Sequence, residues 1–281
     1  MIVYLNGEYL PLEKARLSPL DRGFLFADGI YEVARFDRGR PYRMAEHVGR
    51  LREGLAALSL AVEAGFYPEV SRRLLAENGL AGDDAIVYAQ VTRGAAPRTH
   101  AFPPAGTPPT VFAFARPSDP PLPPEAGAAI LVPDERWGRC NIKSVMLLPN
   151  VLAAQAAKEA GAVDAILVRN GLALEGTKAN LFLVKDGVVR TAPNGPWILP
   201  GVTRGAVIAA ARRLGHAVEE KAFTVEELLA ADEVFLASTS LWTHPLTRVD
   251  GKTIGSGRPG PVAAKLCDAL VREFTGLNPD P

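Results

Sequence analysis

Apolar residues recur along this chain in two periods, and the switches between them mark out its elements. The N-terminal run Ile2-Val3-Tyr4-Leu5 meets Asn6-Gly7, a hairpin signal between short apolar segments. Residues 30–36 read as a strand, with Asp37-Arg38-Gly39 as its turn. Val48, Leu51, Leu55 and Leu58 then recur at helical spacing, and a second helix is expected over about 67–75. β-branched and aromatic residues predict strands at 85–92 and 110–115. Further on, strands are expected at 128–132, 165–169, 181–184 and 233–237. Helices are expected near 148–159, 202–214 and 262–274, the middle one ended by Gly215. This mixed order with many hairpins argues for an α+β fold rather than a doubly wound sheet.

The stretch from Arg116 to Glu125 is dense in proline, which removes backbone donors and favours extended geometry. It divides the chain into a small N-terminal α/β domain over 1–116, a linker over 117–125 and a larger domain over 126–281.

Composition narrows the functional classes. The 281 residues carry 31 acidic and 31 basic side chains, a balance that points to neither nucleic acid nor an anionic membrane as partner. Two cysteines, Cys140 and Cys267, are too few for a disulfide framework and fit a reducing cytosol. With no basic leader and no apolar run near the roughly 20 residues of a membrane span, a cytoplasmic protein is expected. Gly251-Lys252-Thr253 lacks the first glycine of a full G-x-x-x-x-G-K-[ST] loop, and the G-x-G-x-x-G string at Gly255–Gly260 does not directly follow a predicted strand, so neither ATP nor a dinucleotide is expected. No G-x-S-x-G elbow suggests a hydrolase. The four histidines lack metal-ligand spacing, so no metal is expected.

Three segments suggest chemistry when taken together. Lys143 lies between a strand-like stretch and an apolar helix; by itself this segment reads as a snorkelling surface lysine, and with its neighbours it reads as an amine nucleophile. Glu175 ends an apolar run, and Gly176 lets the backbone turn directly after it. A carboxylate of this kind suits a pyridine nitrogen. Leu199-Pro200-Gly201-Val202-Thr203-Arg204 opens a helix whose N-terminus favours an anion. Ser238 and Thr239 offer hydroxyls at a strand end, and Arg50 lies off its helix's apolar stripe, where it could reach phosphate.

The order of these motifs resembles the fold-type IV (class IV) pyridoxal-phosphate (PLP) aminotransferases over essentially the whole length. The resemblance rests on residues 21–33, His47-Val48-Gly49-Arg50-Leu51, the Lys143 segment, residues 148–153, Glu175-Gly176 with Asn180, and residues 199–204. It implies two α/β domains with the cofactor, pyridoxal 5′-phosphate, in the interdomain cleft. It implies Lys143 as the Schiff-base lysine and Glu175 against the pyridine nitrogen. Arg50, the backbone of Val202 and Thr203, and Ser238 with Thr239 would hold phosphate. The reaction implied is ping-pong transamination between an amino acid and a 2-oxo acid.

Arg98 and His100 flank Thr99 on a loop braced by Pro97; an extended chain there would project both to one side, a grip suited to a carboxylate. This loop resembles that of the D-amino-acid aminotransferases, where an Arg and a His from the partner subunit of a homodimer join a Tyr on the substrate carboxylate; Tyr31 fits that Tyr. A D-amino-acid transaminase of the D-alanine or D-glutamate type is therefore expected. Alternatives within the fold are a branched-chain L-amino-acid aminotransferase, an (R)-amine transaminase and aminodeoxychorismate lyase; a non-enzymatic PLP-binding scaffold is a further one. The chain departs from the D-amino-acid pattern at Thr177-Lys178-Ala179, where small hydroxyl residues are usual. Lys178 either raises the local positive charge near the cofactor, contacts an acidic side chain, or points to solvent.

Overall fold

The computed structural model describes residues 1–119 and 125–276. Much of the expected 117–125 linker, residues 120–124, lies outside them. The chain forms two compact units, Met1–Pro120 with Ile142–Met146, and Pro121–Asn141 with Leu147–Pro281. Residues 142–146, Lys143 among them, thus join the first unit, where the sequence placed them with the second.

The first unit contains β1 (Ile2–Leu5), β2 (Glu8–Pro11), α1 (Arg22–Phe26), β3 (Gly29–Asp37), β4 (Arg40–Pro41), α2 (Met44–Ala57), α3 (Phe66–Glu77), β5 (Ala85–Thr92) and β6 (Thr110–Pro117). Its strands form an antiparallel sheet in the order β2-β1-β6-β5-β3-β4. The Asn6-Gly7 turn has positive φ at both residues, as a tight hairpin matched to strand twist requires. On α2 the buried positions are His47, Leu51, Gly54 and Leu55. The inward face is therefore set one residue from the expected Val48 start, because the buried carboxylate of Glu32 on β3 draws the His47 side chain inward.

The second unit contains β7 (Gly127–Pro133), α4 (Leu148–Glu159), β8 (Asp164–Arg169), β9 (Leu172–Gly176), β10 (Asn180–Lys185), β11 (Val188–Thr191), α5 (Val202–Arg213), β12 (Val218–Glu220), β13 (Phe223–Thr224), α6 (Val225–Leu229), β14 (Glu233–Ser238), β15 (Trp242–Val249), β16 (Lys252–Thr253) and α7 (Pro261–Thr275). Its sheet runs β12-β11-β10-β14-β15-β7-β8-β9-β13, and a further pairing of Glu175 with Asn180 closes β9 onto β10. Ile166, Leu181, Leu183, Phe223, Leu236 and Leu246 pack into one buried cluster of this closed sheet. Helix α7 is tied to it by charge: the Glu233 carboxylate accepts from the Val262 and Ala263 N–H groups at 3.0 and 2.9 Å, capping the helix N-terminus. Among the described residues no helix is long and apolar enough to cross a membrane.

The strand registers collect one end of this sheet. Asn180 opens β10 opposite Ala237 near the end of β14, and Ala237 faces Thr243 at the start of β15. β7 and β8 begin at the same end, and β9 finishes there, with Ile166 opposite Gly176. Asp164, Glu175, Lys178, Asn180, Ser238, Thr239 and His244 therefore lie at this one end.

Candidate active site

In the first unit, residues 142–146 pair with β3. The Tyr31 N–H donates to the Lys143 carbonyl at 2.9 Å, and the Val145 N–H to the Gly29 carbonyl at 3.0 Å. Sheet geometry therefore places Lys143. Its side chain is half-buried, with Nζ 4.2 Å from the Tyr31 ring centroid. Tyr31 stacks on Tyr88 at 5.6 Å and Tyr88 on Phe114 at 5.2 Å, an aromatic ladder across β3, β5 and β6 that holds the ring still.

One residue on from Tyr31, Glu32 is fully buried and organises a charged cluster. It accepts from Arg50 Nε at 2.9 Å and Arg50 Nη2 at 2.5 Å, and its Oε1 lies 2.9 Å from His47 Nδ1. Burial by itself would push the Glu32 carboxyl up; Arg50 and the His47 hydrogen bond reverse this and hold it far below the usual carboxylate range. His47 is lowered by its own burial, partly offset by Glu32. Glu32 and His47 went unread in the sequence, although a signal existed. Glu32 shares strand parity with Ile30, Ala34 and Phe36, so an inward carboxylate was legible there.

Arg98 and His100 converge on one ring, with the Arg98 guanidinium carbon 5.1 Å and the His100 ring 5.7 Å from the Phe26 centroid. The loop between them is not extended as expected. The Thr99 N–H donates to the Pro97 carbonyl at 2.8 Å, closing a tight turn at Arg98, and Arg22 clamps the Thr99 carbonyl at 2.7 Å.

In the second unit, Glu175 is buried at the closed seam of the sheet. Its carboxylate accepts from Arg136 Nη1, from Asn180 Nδ2 at 3.0 Å and from the Leu199 N–H at 3.2 Å. Burial pushes the Glu175 carboxyl up to about 7, while Arg136 beside it and the Leu199 N–H pull the other way. Arg136 is itself held on the far side by Asp134, at 2.8 and 3.0 Å, and Asp134 also takes Arg169 at 3.1 Å. Arg136 was missed; the Asp134–Arg136 spacing straight after a strand was its only trace.

Asn180 links this carboxylate to the start of α5. Its amide nitrogen also donates to the Leu199 carbonyl at 2.9 Å. A Cβ on Gly201 would stand 2.1 Å from Asn180 Oδ1, so only glycine lets the loop pass. No side chain caps α5, whose first residues Val202 and Thr203 are both buried. The opening N–H groups of such a helix favour an anion. Ser238 and Thr239 follow from the end of β14, within the same strand end as Asn180. A carboxylate, an uncapped helix N-terminus and two hydroxyls meet the needs of a pyridine ring bearing a phosphate. Gly201→Ala is expected to displace the doubly tied Asn180 amide, weakening PLP binding about tenfold and costing about 1–3 kcal/mol of stability. A PLP titration and a thermal melt check both; unchanged values in the two would remove this contact from the site.

The class IV amino-transferase family model matches residues 29–249, most of the chain. The chain belongs to the class IV aminotransferases. It is 40% identical to a D-alanine aminotransferase of Bacillus licheniformis over 274 residues, 96% of either chain. In structure it is similar to the branched-chain amino acid aminotransferase of Escherichia coli, with 28% identity, a TM-score of 0.88, and 99% and 96% of the two chains covered. A T.th. branched-chain aminotransferase complexed with N-(5′-phosphopyridoxyl)-L-glutamate aligns with 27% identity and a TM-score of 0.88, covering 99% and 95%. The cofactor of this class IV aminotransferase is pyridoxal 5′-phosphate, and its fold is the α+β fold of fold-type IV.

Proposed function

We propose that this class IV aminotransferase moves the amino group of a D-amino acid, of the D-alanine or D-glutamate type, to a 2-oxo acid such as pyruvate or 2-oxoglutarate. The 40% identity to a D-alanine aminotransferase over 96% of both chains carries the reading. The Arg98–His100 pair gathered on Phe26 supports it as a carboxylate grip.

When bound, PLP supplies an electron sink for charge developing at the substrate Cα. The chain's residues do the rest. Lys143 Nζ holds the cofactor and then takes the proton from the substrate Cα, with the Tyr31 ring beneath it fixing its approach. Glu175, held by Arg136, Asn180 and the Leu199 N–H, would pair with the pyridine nitrogen and keep it protonated. Arg50, the Val202 and Thr203 N–H groups, Ser238 and Thr239 hold the phosphate. Tyr31, Arg98 and His100 bind the substrate carboxylate, the last two acting in a neighbouring copy.

A homodimer follows from that last role. Exposed Phe24 and Phe102 in the first unit, and Leu148, Val151 and Leu152 on α4 of the second, support self-association. Light scattering should give twice the 29.9 kDa chain mass.

The decisive test is the first half-reaction of the PLP-loaded enzyme. D-alanine should discharge the absorbance band expected near ~410–420 nm for a PLP enzyme, with pyruvate released. The branched-chain enzymes of similar structure favour one competing reading, in which L-leucine alone discharges it. That outcome would move the enzyme to the L-specific branch.

A further inference from the structure

We infer that Lys178 is a specificity-determining residue, which receives the second carboxylate of a dicarboxylic amino acid or 2-oxo acid. This rests on the proposed transaminase reading and names the substrate class within it.

Position is the first ground. Lys178 stands on the turn between β9 and β10, three residues after Glu175 and two before Asn180, at the strand end that also presents Ser238 and Thr239. That turn is rigid. The Gly176 N–H donates to the Ala179 carbonyl at 2.7 Å. Thr177 is bound from both sides: its N–H and Oγ1 donate to Asp164 Oδ1 at 3.1 and 2.5 Å, and its carbonyl accepts from Asn150 at 2.7 Å. The base of the Lys178 side chain is thereby fixed while the residue itself is exposed.

Charge is the second ground. The neighbouring carboxylates are engaged elsewhere: Glu175 with Arg136, Asn180 and Leu199, and Asp164 through Oδ1 with Thr177 and the Ala165 N–H. The remaining oxygen, Asp164 Oδ2, is buried against Gly176, where a Cβ would stand 2.7 Å away. Among the described residues no carboxylate pairs with the exposed Lys178 within 4 Å, which leaves its ammonium open to a ligand.

A third observation lies on β15. His244 has neither ring nitrogen hydrogen-bonded among the described residues. Its imidazole is lowered first by burial; Asp164 opposes this, and the Lys178 ammonium adds to the lowering. With both His244 ring nitrogens buried, it is the exposed Lys178 ammonium that a free carboxylate would meet at this strand end. The carboxylate grip of Tyr31, Arg98 and His100 serves the α-carboxylate, so a monocarboxylic substrate has no use for this corner.

The test uses PLP-loaded enzyme converted to its amino form with D-alanine, then mixed with 2-oxoglutarate or pyruvate. In Lys178→Ala the second-order rate constant for 2-oxoglutarate should fall about tenfold more than that for pyruvate. Lys178→Arg should keep most of the preference. Glutarate, measured by calorimetry against butyrate, should lose its affinity advantage by a similar factor in Lys178→Ala. Equal losses for both acceptors, or no loss, overturn the assignment. Failure of the unsubstituted enzyme to react with D-alanine would instead overturn the transaminase reading on which it rests.

Discussion

Lys143→Ala is expected to lower turnover by about 10⁴-fold or more, with the fold intact. The size follows from the two roles proposed for the amine, holding the cofactor and taking the Cα proton. Either alone is a large fraction of the rate. The intact fold follows from how Lys143 is tied into the sheet: its carbonyl pairs with the Tyr31 N–H, and its ammonium lies over the Tyr31 ring. Alanine keeps the first and loses the second. Lys143→Arg should not rescue, because a guanidinium stays charged at any working pH and cannot act as a nucleophile. The measurements are the visible absorbance band, a single turnover with D-alanine and a thermal melt. A variant that melts normally, binds PLP and still turns over within tenfold of the parent would take Lys143 out of the chemistry.

The elements of the fold were legible where a single period decides them. The helix at Leu148–Glu159, the strand at Ala85–Thr92 and the Asn6-Gly7 hairpin follow from local pattern and turn chemistry, and they stand where expected. What local pattern could not give is how distant segments group. Residues 142–146 leave their sequence neighbours to pair with β3, a contact across more than a hundred residues that no window sees. The closure of β9 onto β10 through Glu175 and Asn180 is equally invisible, since one pairing of two polar residues carries no periodicity.

The candidate site divides in the same way. Lys143 and Glu175 could be picked out because each sits oddly in an apolar context. The groups that tune them could not. Arg136 reads as one of many surface arginines until the carboxylate it faces is known, and His47 reads as a polar residue beside an apolar stripe. Partners of this kind are chosen by the tertiary fold, and burial gives them their leverage. The Arg98 loop shows the converse: its residues were found, but the extended geometry assumed for it gives way to a turn stabilised by the Thr99 N–H and the Arg22 clamp.

Glu32→Gln should cost about 3–5 kcal/mol of stability, the usual penalty for removing one partner of a buried ion pair. Glutamine fills the same space, so the effect isolates charge. Arg50 keeps its guanidinium with a side chain only 9% exposed, and the new amide group presents donors to Arg50 and His47, which are themselves donors. In a chain of this length such a loss lowers Tm by about 10 °C. Glu46→Gln, which breaks the exposed pair with Arg43, should change it by no more than a degree or two. The pH dependence has a definite sign. Glu32 is depressed in the fold, so its contribution is complete above the unfolded carboxyl value of about 4.3 and is lost as pH falls toward the folded one. The gap between parent and variant should therefore be widest near neutrality and shrink in acid. PLP supplies the last arm. If Arg50 holds the phosphate, the dianion replaces the charge that Glu32 lost, and the gap should narrow in the loaded enzyme by mass action. A gap of equal width with and without PLP would leave the ion pair standing but remove Arg50 from the phosphate site, and no gap at all would mean that the buried pair contributes nothing.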